Sequence, residues 1–172
     1  MPATRDDLMA ILARLGIATT TVEHNSVFTV EEAKHLRGAV AGAHTKNLFL
    51  KDKKDALFLV VAPEDAIIDL KHLHHVIGAS GRLSFGKPEL LAEALGVPPG
   101  SVTAFAVIND TAGRVAIILD ASLMAADRVN CHPLVNTATT SIAPADLLTF
   151  IRATGHEPVI VALAGTAAAA EL

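Results

Sequence analysis

The sequence predicts a single α/β (α+β) domain, in which helices surround a curved, mixed and mostly antiparallel sheet. The chain has 172 residues, a length typical of one domain. Hydrophobic residues make up 51% of it and charged residues 19%, which excludes a disordered chain. Hairpin patterns are mixed with scattered helices, and strict β-α-β alternation is absent. We therefore expect one domain over residues 1–172, with the alanine-rich residues 165–172 as a flexible tail.

The N-terminal elements are predicted from capping patterns and periodicity. Thr4 and Asp7 form a capping pattern that opens a helix over residues 4–15, with apolar residues at helical spacing. Residues 18–23 are rich in Thr and Val and predict a strand. A second capping box opens a short helix over residues 29–36.

The middle of the chain predicts a hairpin followed by two helices. The strand-like runs 46–51 and 56–62 flank the polar turn 52–55. Helices are expected at residues 69–77 and 87–95, the latter with a proline in its first turn.

The last third predicts a second hairpin and a closing helix. Residues 104–108 and 114–119 flank an Asn-Asp-Thr-Ala-Gly turn, which is typical of a hairpin. Strands are further expected at 128–132 and 137–142, a helix at 144–155 and an apolar segment at 159–163.

Charge limits the kinds of nucleic acid that the protein could bind. The formal net charge is −4, whereas a general nucleic-acid binder is usually strongly basic, so we expect no DNA partner. The phosphate backbone of an RNA could be attracted electrostatically only to two local basic patches. These are Lys51, Lys53 and Lys54, and then Lys71, Arg82 and Lys87.

The cellular compartment is predicted from the number of cysteines and the length of the apolar runs. The lone Cys131 permits no disulfide within the chain and no zinc CxxC pattern, which favours the cytoplasm. The polar, acidic N-terminus is not typical of a signal peptide. The longest apolar run, residues 159–170, is too short to span a bilayer, so no membrane partner is expected.

The first polar segment with candidate chemistry is residues 44–47, His-Thr-Lys-Asn, at the start of a predicted strand. Lys46 could be an ordinary edge-strand lysine that discourages aggregation. Alternatively, its ammonium could face a pocket and hold a phosphate or a carbonyl oxygen. Strand alternation places Lys46 on the face of Leu48 and Leu50, which leans toward the pocket interpretation.

The second polar segment is residues 130–139. Cys131 and His132 are adjacent in an extended segment and point to opposite faces, so a Cys–His nucleophile is rejected and Cys131 is expected to be a small buried hydrophobe. Pro133 favours an extended His132. The rigid turn with Asn136 could be a catalytic rim or simply a structural turn.

Two further features are weaker candidates. His72 and His75 would share a helix face and could begin a metal site, although an HExxH arrangement is absent and a solvated face is the simpler interpretation. The Pro-Pro-Gly turn around Gly100 could present backbone N–H groups to a carbonyl or phosphate, but most such turns only connect elements.

Taken in order along the chain, these segments resemble a known family. The resemblance is carried by residues 23–33 (EHNSVFTVEEA), 45–50 (TKNLFL), 100–103 (GSVT), 105–110 (FAVIND) and 132–139 (HPLVNTAT). This pattern is similar to the YbaK-like family of editing domains associated with prolyl-tRNA synthetase, and most similar to its free-standing members. The match covers most of the chain.

The resemblance implies hydrolysis of alanine that has been wrongly esterified to proline tRNA, with prolyl-tRNA synthetase as a candidate partner. A pocket built for proline cannot fully exclude a smaller side chain, so a second hydrolytic site is needed. By resemblance, Lys46 contacts the terminal adenosine or its phosphate, Asn47 holds the ester or the attacking water, and His132 lines the pocket and orients the substrate. No metal or other cofactor is expected.

The resemblance also implies a set of substrate-binding residues. Phe28, Thr29 and Val30 would size the alanine pocket, and the Gly100 loop would present N–H groups to the carbonyl. The full expected set is Phe28, Thr29, Val30, Thr45, Gly100, Ser101, Val102, Asn136 and Thr137. One departure is Ala104, where family loops often carry proline.

The expected mechanism is direct attack of water on the ester, because no Ser-His-Asp order or activated cysteine is present. Three alternatives stay open. They are a deacylase for cysteine or another small amino acid, a non-catalytic module that binds tRNA or another nucleic acid, and a metal-dependent hydrolase that uses His72 and His75.

Overall fold

The computed structural model describes residues 1–26 and 30–163. The helices are α1 (Arg5–Arg14), α2 (Val30–Ala39), α3 (Leu73–Ile77), α4 (Pro88–Leu95) and α5 (Pro144–Ala153). The strands are β1 (Thr20–Glu23), β2 (Ala43–Lys51), β3 (Leu57–Pro63), β4 (Ser84–Phe85), β5 (Val115–Asp120), β6 (Val129–Cys131), β7 (Ala138–Ile142) and β8 (Val159–Val161). Short 3-10 helices lie at Pro99–Ser101, Ala104–Asn109 and Ala121–Ala125. The expected tail at 165–172 lies outside the described residues.

The strands form one mixed sheet in the order β1-β7-β6-β2-β3-β5-β8, with β4 added beside β2. Antiparallel pairs join β1 to β7, β7 to β6, and β2 to both β3 and β4. Parallel pairs join β2 to β6, β3 to β5 and β5 to β8. The predicted fold class, a single mixed α/β domain, is confirmed.

A notch interrupts the sheet along one edge of β2. β3 follows β2 along one edge from Thr45 to Lys51. On the other edge, β6 pairs with Ala43 and His44, and β4 pairs with Leu50 and Lys51. Residues 45–48 of β2 therefore have no strand beside them on that edge in the described part of the chain. The notch is the place where the candidate site residues gather.

The sheet is covered on both faces. Phe49, Leu59 and Val61 face the larger core, which is filled by α1, α4, α5 and the second 3-10 helix. Leu50 and Val60 alternate with them and face a smaller core closed by α3. Burial on both faces explains the nearly continuous apolar run in β3. In the described ranges no helix has the length and apolar character needed to cross a bilayer.

The predicted second hairpin is wrong. Ala104–Asn109 is a 3-10 helix, not a strand, and β5 pairs in parallel with β3 instead. Thr103 begins this helix, since its Oγ1 accepts from the Phe105 amide at 3.3 Å. Phe105 packs edge-on against Phe150, with ring centroids 5.3 Å apart. The run is apolar because its first four residues, Ala104 to Val107, are buried, and a short apolar run alone does not distinguish strand from helix.

Other boundaries differ more modestly. The helix expected at 69–77 is regular only over Leu73–Ile77, and β4 was not predicted. The helix expected at 29–36 extends over Val30–Ala39, while its proposed cap Thr29 lies outside the described residues. The capping box at Thr4 is confirmed: Thr4 Oγ1 accepts from the Asp7 amide, and an Asp7 carboxylate oxygen accepts from the Thr4 amide.

Candidate functional site

Lys46 lies in an interior strand and its side chain is partly buried. It shares a face with Leu48 and Leu50, which pack in the smaller core, so the predicted orientation is confirmed. Its Nζ donates to the carbonyl of Ala66, in the loop that follows β3. The ammonium is therefore held above this face of the sheet, and the interpretation of Lys46 as an edge-strand lysine is not supported.

His132 directly follows β6 and lies on the face of Lys46. The parallel β2–β6 pair ends where His44 is opposite Asn130, and continuing this register by two residues brings Lys46 level with His132. In the β6–β7 pair Cys131 is opposite Thr140, which places His132 opposite Thr139. Strand alternation thus puts all three side chains on one face of the sheet.

His24 extends the same row by one more strand. It follows β1, and its amide donates to the Thr137 carbonyl at 2.9 Å. Its Nε2 lies 2.8 Å from Thr139 Oγ1. Lys46, His132, Thr139 and His24 therefore form what we call the polar row, which crosses the neighbouring strands β2, β6, β7 and β1.

The surroundings of His132 define its tautomer and charge. Its Nδ1 lies 3.2 Å from the Ala138 carbonyl, and because a carbonyl only accepts, Nδ1 carries the hydrogen. Burial lowers the pKa of His132, the bond to Ala138 partly opposes this, and the nearby His24 lowers it further. His132 is therefore neutral at pH 7, and its Nε2 is an acceptor.

Asn136 joins the second polar segment to the Gly100 loop. Its Oδ1 accepts a hydrogen bond from Ser26 Oγ at 3.0 Å. A Cβ on Gly100 would lie only 3.3 Å from its Nδ2. The same turn holds Leu134 at φ 68°, a left-handed conformation that costs a non-glycine residue about 1 kcal/mol. Asn136 therefore connects this turn to two other segments, those of Ser26 and of Gly100.

Asn47 and Thr45 lie on the opposite face from Lys46. Thr45 Oγ1 donates to the Asn130 carbonyl at 2.8 Å and lies 3.9 Å from Cys131 Sγ. Asn47 Oδ1 is buried and has no hydrogen-bond partner among the described residues. The structure therefore separates the Lys46 and Asn47 side chains by the thickness of the sheet, although they are neighbours in the sequence.

The Gly100 loop offers fewer free amides than the sequence suggests. Pro99–Ser101 forms a 3-10 turn, and the Ser101 amide donates to the Pro98 carbonyl at 2.9 Å. Ser101 is buried and Val102 packs partly against the larger core. The Ser101 side chain is therefore not exposed to a substrate, whereas that of Val102 is partly accessible. Among the described residues, the approach of Gly100 to Asn136 connects this loop to the polar segments.

Three expected substrate-binding positions are only partly visible. Phe28 and Thr29 lie outside the described residues, and Val30 is seen only as the first residue of α2. The Thr137 carbonyl accepts a hydrogen bond from the His24 amide, so the Thr137 backbone lies next to the polar row.

Cys131 is a buried residue of the larger core, as predicted. Burial raises the pKa of its thiol to about 12, with the bond from Thr45 a smaller opposing effect. The thiol lies on the opposite face from His132, which confirms that the two do not form a nucleophilic pair.

The two basic patches of the sequence meet on one surface. The Lys53 amide donates to the Ser80 carbonyl at 3.0 Å, and the Ser80 amide donates to Asp52 Oδ2 at 2.9 Å. β4 then runs beside the end of β2, with Ser84 opposite Lys51. The resulting basic surface is formed by Lys51, Lys53, Lys54, Arg82 and Lys87. Lys71 belongs to the turn before α3, where its amide donates to Asp69 Oδ1 at 3.0 Å.

The three histidines around α3 form a ring cluster of their own. The His74 and His75 ring centroids are 4.0 Å apart, and His72 Nδ1 pairs with Asp69 Oδ2 at 2.6 Å. Within residues 1–26 and 30–163, no three His, Cys, Asp or Glu side chains are grouped so that they could hold a metal ion.

His24 and Ser26 were not predicted as site residues. Both belong to the polar stretch that directly follows a predicted strand, and this position is the feature of the sequence that could have identified them. Their role depends on contacts with Thr139 and Asn136, which are far away in the sequence and become adjacent only through the β1–β7 pair.

Comparisons with known proteins show the family to which the chain belongs. The sequence model of the aminoacyl-tRNA editing domain family matches residues 24–150, a range that contains His24, Lys46, Gly100, His132 and Asn136. The chain is 43% identical over 159 residues to a zebrafish (Danio rerio) prolyl-tRNA synthetase associated domain-containing protein, covering 91% of this chain and 86% of the relative.

A bacterial relative and a solved structure extend the comparison. The prolyl-tRNA editing protein ProX of Acetoanaerobium sticklandii is 36% identical over 150 residues, covering 87% of this chain and 91% of the relative. A solved structure described as a candidate trans-editing enzyme for prolyl-tRNA synthetase has the same fold, with a TM-score of 0.65 at 21% identity, covering 93% of this chain and 98% of that one. The chain belongs to the aminoacyl-tRNA editing domain family.

Proposed function

We propose that the protein is a free-standing deacylase that hydrolyses the ester of alanine wrongly attached to proline tRNA. The polar row is the observation that carries the proposal. It places a held ammonium, Lys46, and a neutral imidazole, His132, on one face beside the notch. A cation and a hydrogen-bond acceptor are the groups needed to hold an anionic RNA end and to orient water.

In this proposal Lys46 holds the terminal nucleotide of the RNA. Its only described hydrogen bond is to the Ala66 carbonyl, a neutral acceptor that a phosphate oxygen can replace or share. The ester carbonyl would then lie at the notch. Asn47 Oδ1 is buried on the opposite face of β2 without a partner among the described residues, and through the notch it could accept from the ammonium group of the amino acid or from water.

Water is the proposed nucleophile, and no covalent intermediate is formed. His132 Nε2 accepts a hydrogen bond from this water while its oxygen attacks the ester carbonyl. The bond between the carbonyl carbon and the ribose oxygen breaks, the proton of the attacking water passes by way of His132 Nε2 to that ribose oxygen, and the free amino acid keeps the new oxygen. Positioning and stabilisation of the developing oxyanion can suffice for an activated ester.

The basic surface is proposed to guide the RNA backbone. Lys51 lies at the other end of β2 from Lys46, so the two are about 17 Å apart along the strand. That separation corresponds to about five nucleotides of a stacked strand. The basic surface therefore lies within reach of the backbone upstream of the terminal nucleotide, which would have to pass around the end of β2 because Lys51 and Lys46 point to opposite faces of the sheet. Lys71 is not proposed to contact it.

Deacylation of charged tRNA tests the proposal. Proline tRNA carrying alanine, cysteine, serine or proline is incubated with the wild type, with Lys46→Ala and with Lys34→Ala, an exposed lysine of α2 that serves as the matched control. We expect preferential loss of alanine, no effect of a chelator, a loss of about a hundredfold in Lys46→Ala and wild-type rates in Lys34→Ala.

The other outcomes each overturn part of the proposal. Preferential loss of cysteine or serine would make the protein a deacylase for a different small amino acid. Inactivation by the chelator would support the metal-dependent alternative. Binding of the charged tRNA without any turnover would show a non-catalytic module.

Salt dependence tests the basic surface separately. Substituting Lys51, Lys53 and Arg82 by Gln should raise KM and flatten the dependence of KM on salt, by about one unit of slope for each phosphate that is no longer neutralised. Lys71→Gln is the matched control and should leave the slope unchanged. An unchanged slope in the triple variant would show that the RNA passes elsewhere.

A further inference from the structure

We propose that His24 is a positioning residue of the deacylase site, which acts on His132 through the hydroxyl of Thr139. The inference rests on the proposed function for its kinetic consequences, and on the contacts of the polar row for its geometry. His24 touches neither the ester nor the attacking water in this proposal. It holds the neighbouring strands in the arrangement that aims His132.

The hydrogen bonds of His24 determine its tautomer. Its Nδ1 lies 2.7 Å from the carbonyl oxygen of Asn25, which can only accept, so Nδ1 carries the hydrogen. In the neutral ring Nε2 is then an acceptor, and it receives the hydrogen of Thr139 Oγ1 at 2.8 Å. Both ring nitrogens are occupied, so the ring is fixed in one orientation.

Thr139 transmits this constraint to His132. Its side chain is buried and its hydroxyl donates to His24 on the β1 side of β7, while β6 and His132 lie on the other side of β7. The carbonyl of Ala138, one residue earlier, accepts the Nδ1 hydrogen of His132 at 3.2 Å. A bond that fixes Thr139 therefore also fixes the peptide that orients the His132 ring.

Two further bonds tie the His24 segment to the same strand. The His24 amide donates to the Thr137 carbonyl at 2.9 Å, and Ser26 Oγ donates to Asn136 at 3.0 Å. Residues 24–26 thus follow residues 136–139 closely along one edge of the site. Within residues 24–26, His24 is the residue whose side chain belongs to the polar row.

A purely structural role of His24 can be tested separately from a positioning role, because β1 and β7 also carry a pair of hydroxyl groups on their other face. Thr21 Oγ1 and Thr140 Oγ1 are 2.8 Å apart. Thr21→Val removes a side-chain bond of similar length between β1 and β7 without touching the polar row. If His24 only stabilises this strand pair, both substitutions should have the same effect.

The experiment compares His24→Gln, His24→Asn, Thr139→Val and Thr21→Val by single-turnover deacylation of proline tRNA carrying alanine. The Gln amide reaches the place of Nε2 and can keep the Thr139 bond, whereas the Asn amide reaches only the place of Nδ1. We expect kcat to fall about tenfold in His24→Asn and in Thr139→Val with little change in KM, the loss that one hydrogen bond supports. His24→Gln should recover most of the rate, and Thr21→Val should behave as wild type.

The double variant His24→Asn/Thr139→Val provides the decisive test. If His24 acts through Thr139, the double variant should be no slower than either single variant. Additive losses, about a hundredfold together, would overturn the proposal, as would a loss in Thr21→Val equal to that in His24→Asn.

Imidazole NMR of the free protein tests the geometry without any substrate. Both His24 and His132 should show the tautomer with hydrogen on Nδ1, and the ring signals of His132 should change in His24→Asn and in Thr139→Val, because the Ala138 peptide that accepts from His132 Nδ1 is no longer held in place. If the wild type deacylates no charged tRNA but these signals are found, the proposed function fails and the positioning geometry stands. Ring signals of His132 that are unchanged in His24→Asn and Thr139→Val would overturn the inference.

Discussion

A Cβ on Gly100 would lie 3.3 Å from Asn136 Nδ2, although the two residues belong to segments that are distant in the sequence. Asn136 in turn accepts a hydrogen bond from Ser26 at 3.0 Å. The contact therefore joins the Gly100 loop, the turn after His132 and the segment after β1 around one amide. A small displacement of Asn136 would therefore disturb the packing of all three segments.

We predict that Gly100→Ala slows deacylation severalfold and leaves the fold intact. The added methyl must push Asn136 by a few tenths of an ångström, which disturbs the turn that carries His132, while Gly100 has no positive φ that an alanine would strain. Single-turnover rates and thermal unfolding measure the two effects. Gly38→Ala, where a Cβ meets nothing within 4 Å, is the control and should keep the wild-type rate. Equal rates in Gly100→Ala and wild type would show that Asn136 does not shape the site.

We predict that activity falls on the acid side with an apparent pKa below the ordinary 6.5 of histidine. Burial disfavours the charged ring of His132, so Nε2 stays an acceptor until the pH falls through this lowered pKa. The same shift means that the contribution of His132 to stability is complete above pH 6.5 and declines as the pH falls below it. The fall of kcat on the acid side of its pH profile, which we call the acid limb, measures this apparent pKa.

His132→Gln is the control for this pH dependence, since it keeps an acceptor but does not titrate. It should be slower than the wild type and should lack the acid limb. An acid limb above pH 6.5, or one that persists in His132→Gln, would assign the titration to another group.

We predict that Cys131 is dispensable for catalysis. Its thiol is buried on the face away from His132, and its pKa of about 12 leaves almost no thiolate at neutral pH. Cys131→Ala should therefore keep a near wild-type kcat, while losing about 1 kcal/mol of stability from the smaller buried side chain. Iodoacetamide should not inactivate the native enzyme. Rapid inactivation by this reagent, absent in Cys131→Ala, would contradict the water mechanism.

We predict that the buried Asp110–His156 pair is a main source of acid-sensitive stability. Their side chains are 2% and 5% exposed, with Asp110 Oδ2 2.8 Å from His156 Nε2. Burial alone would raise the pKa of Asp110, but the bonds from His156 and from the Val115 and Arg114 amides outweigh it and lower the pKa. The stabilisation is therefore complete above the ordinary value of 3.8 and is lost as the pH falls through the lower folded-state pKa.

Asp110→Asn should lower the free energy of unfolding by about 3 kcal/mol at pH 7, because it removes the charge from a buried pair. Its stability should also depend less on pH below 4 than that of the wild type. The exposed Asp127→Asn is the control and should change stability by less than about 0.5 kcal/mol. Denaturant unfolding at several pH values measures both, and parallel acid limbs in wild type and Asp110→Asn would contradict the assignment.

Local features of the fold could be predicted from the sequence. The helix that starts at Thr4, the hairpin of β2 and β3, the strands β6 and β7 and the helix α5 all depend on capping, turn and alternation signals within a few residues. The face of Lys46 and the burial of Cys131 followed from the same alternation. These features are determined locally because their hydrogen bonds and side-chain spacing are set by neighbouring residues.

The tertiary structure alone decided the rest. The segment Ala104–Asn109 is a 3-10 helix whose first four residues are buried by its neighbours, which a short apolar run does not reveal. The parallel pairing of β2 with β6 and the antiparallel pairing of β7 with β1 brought Lys46, His132, Thr139 and His24 to one face. These strand registers result from packing between distant segments, so the sequence determined the parts of the site while the sheet decided which of them face each other.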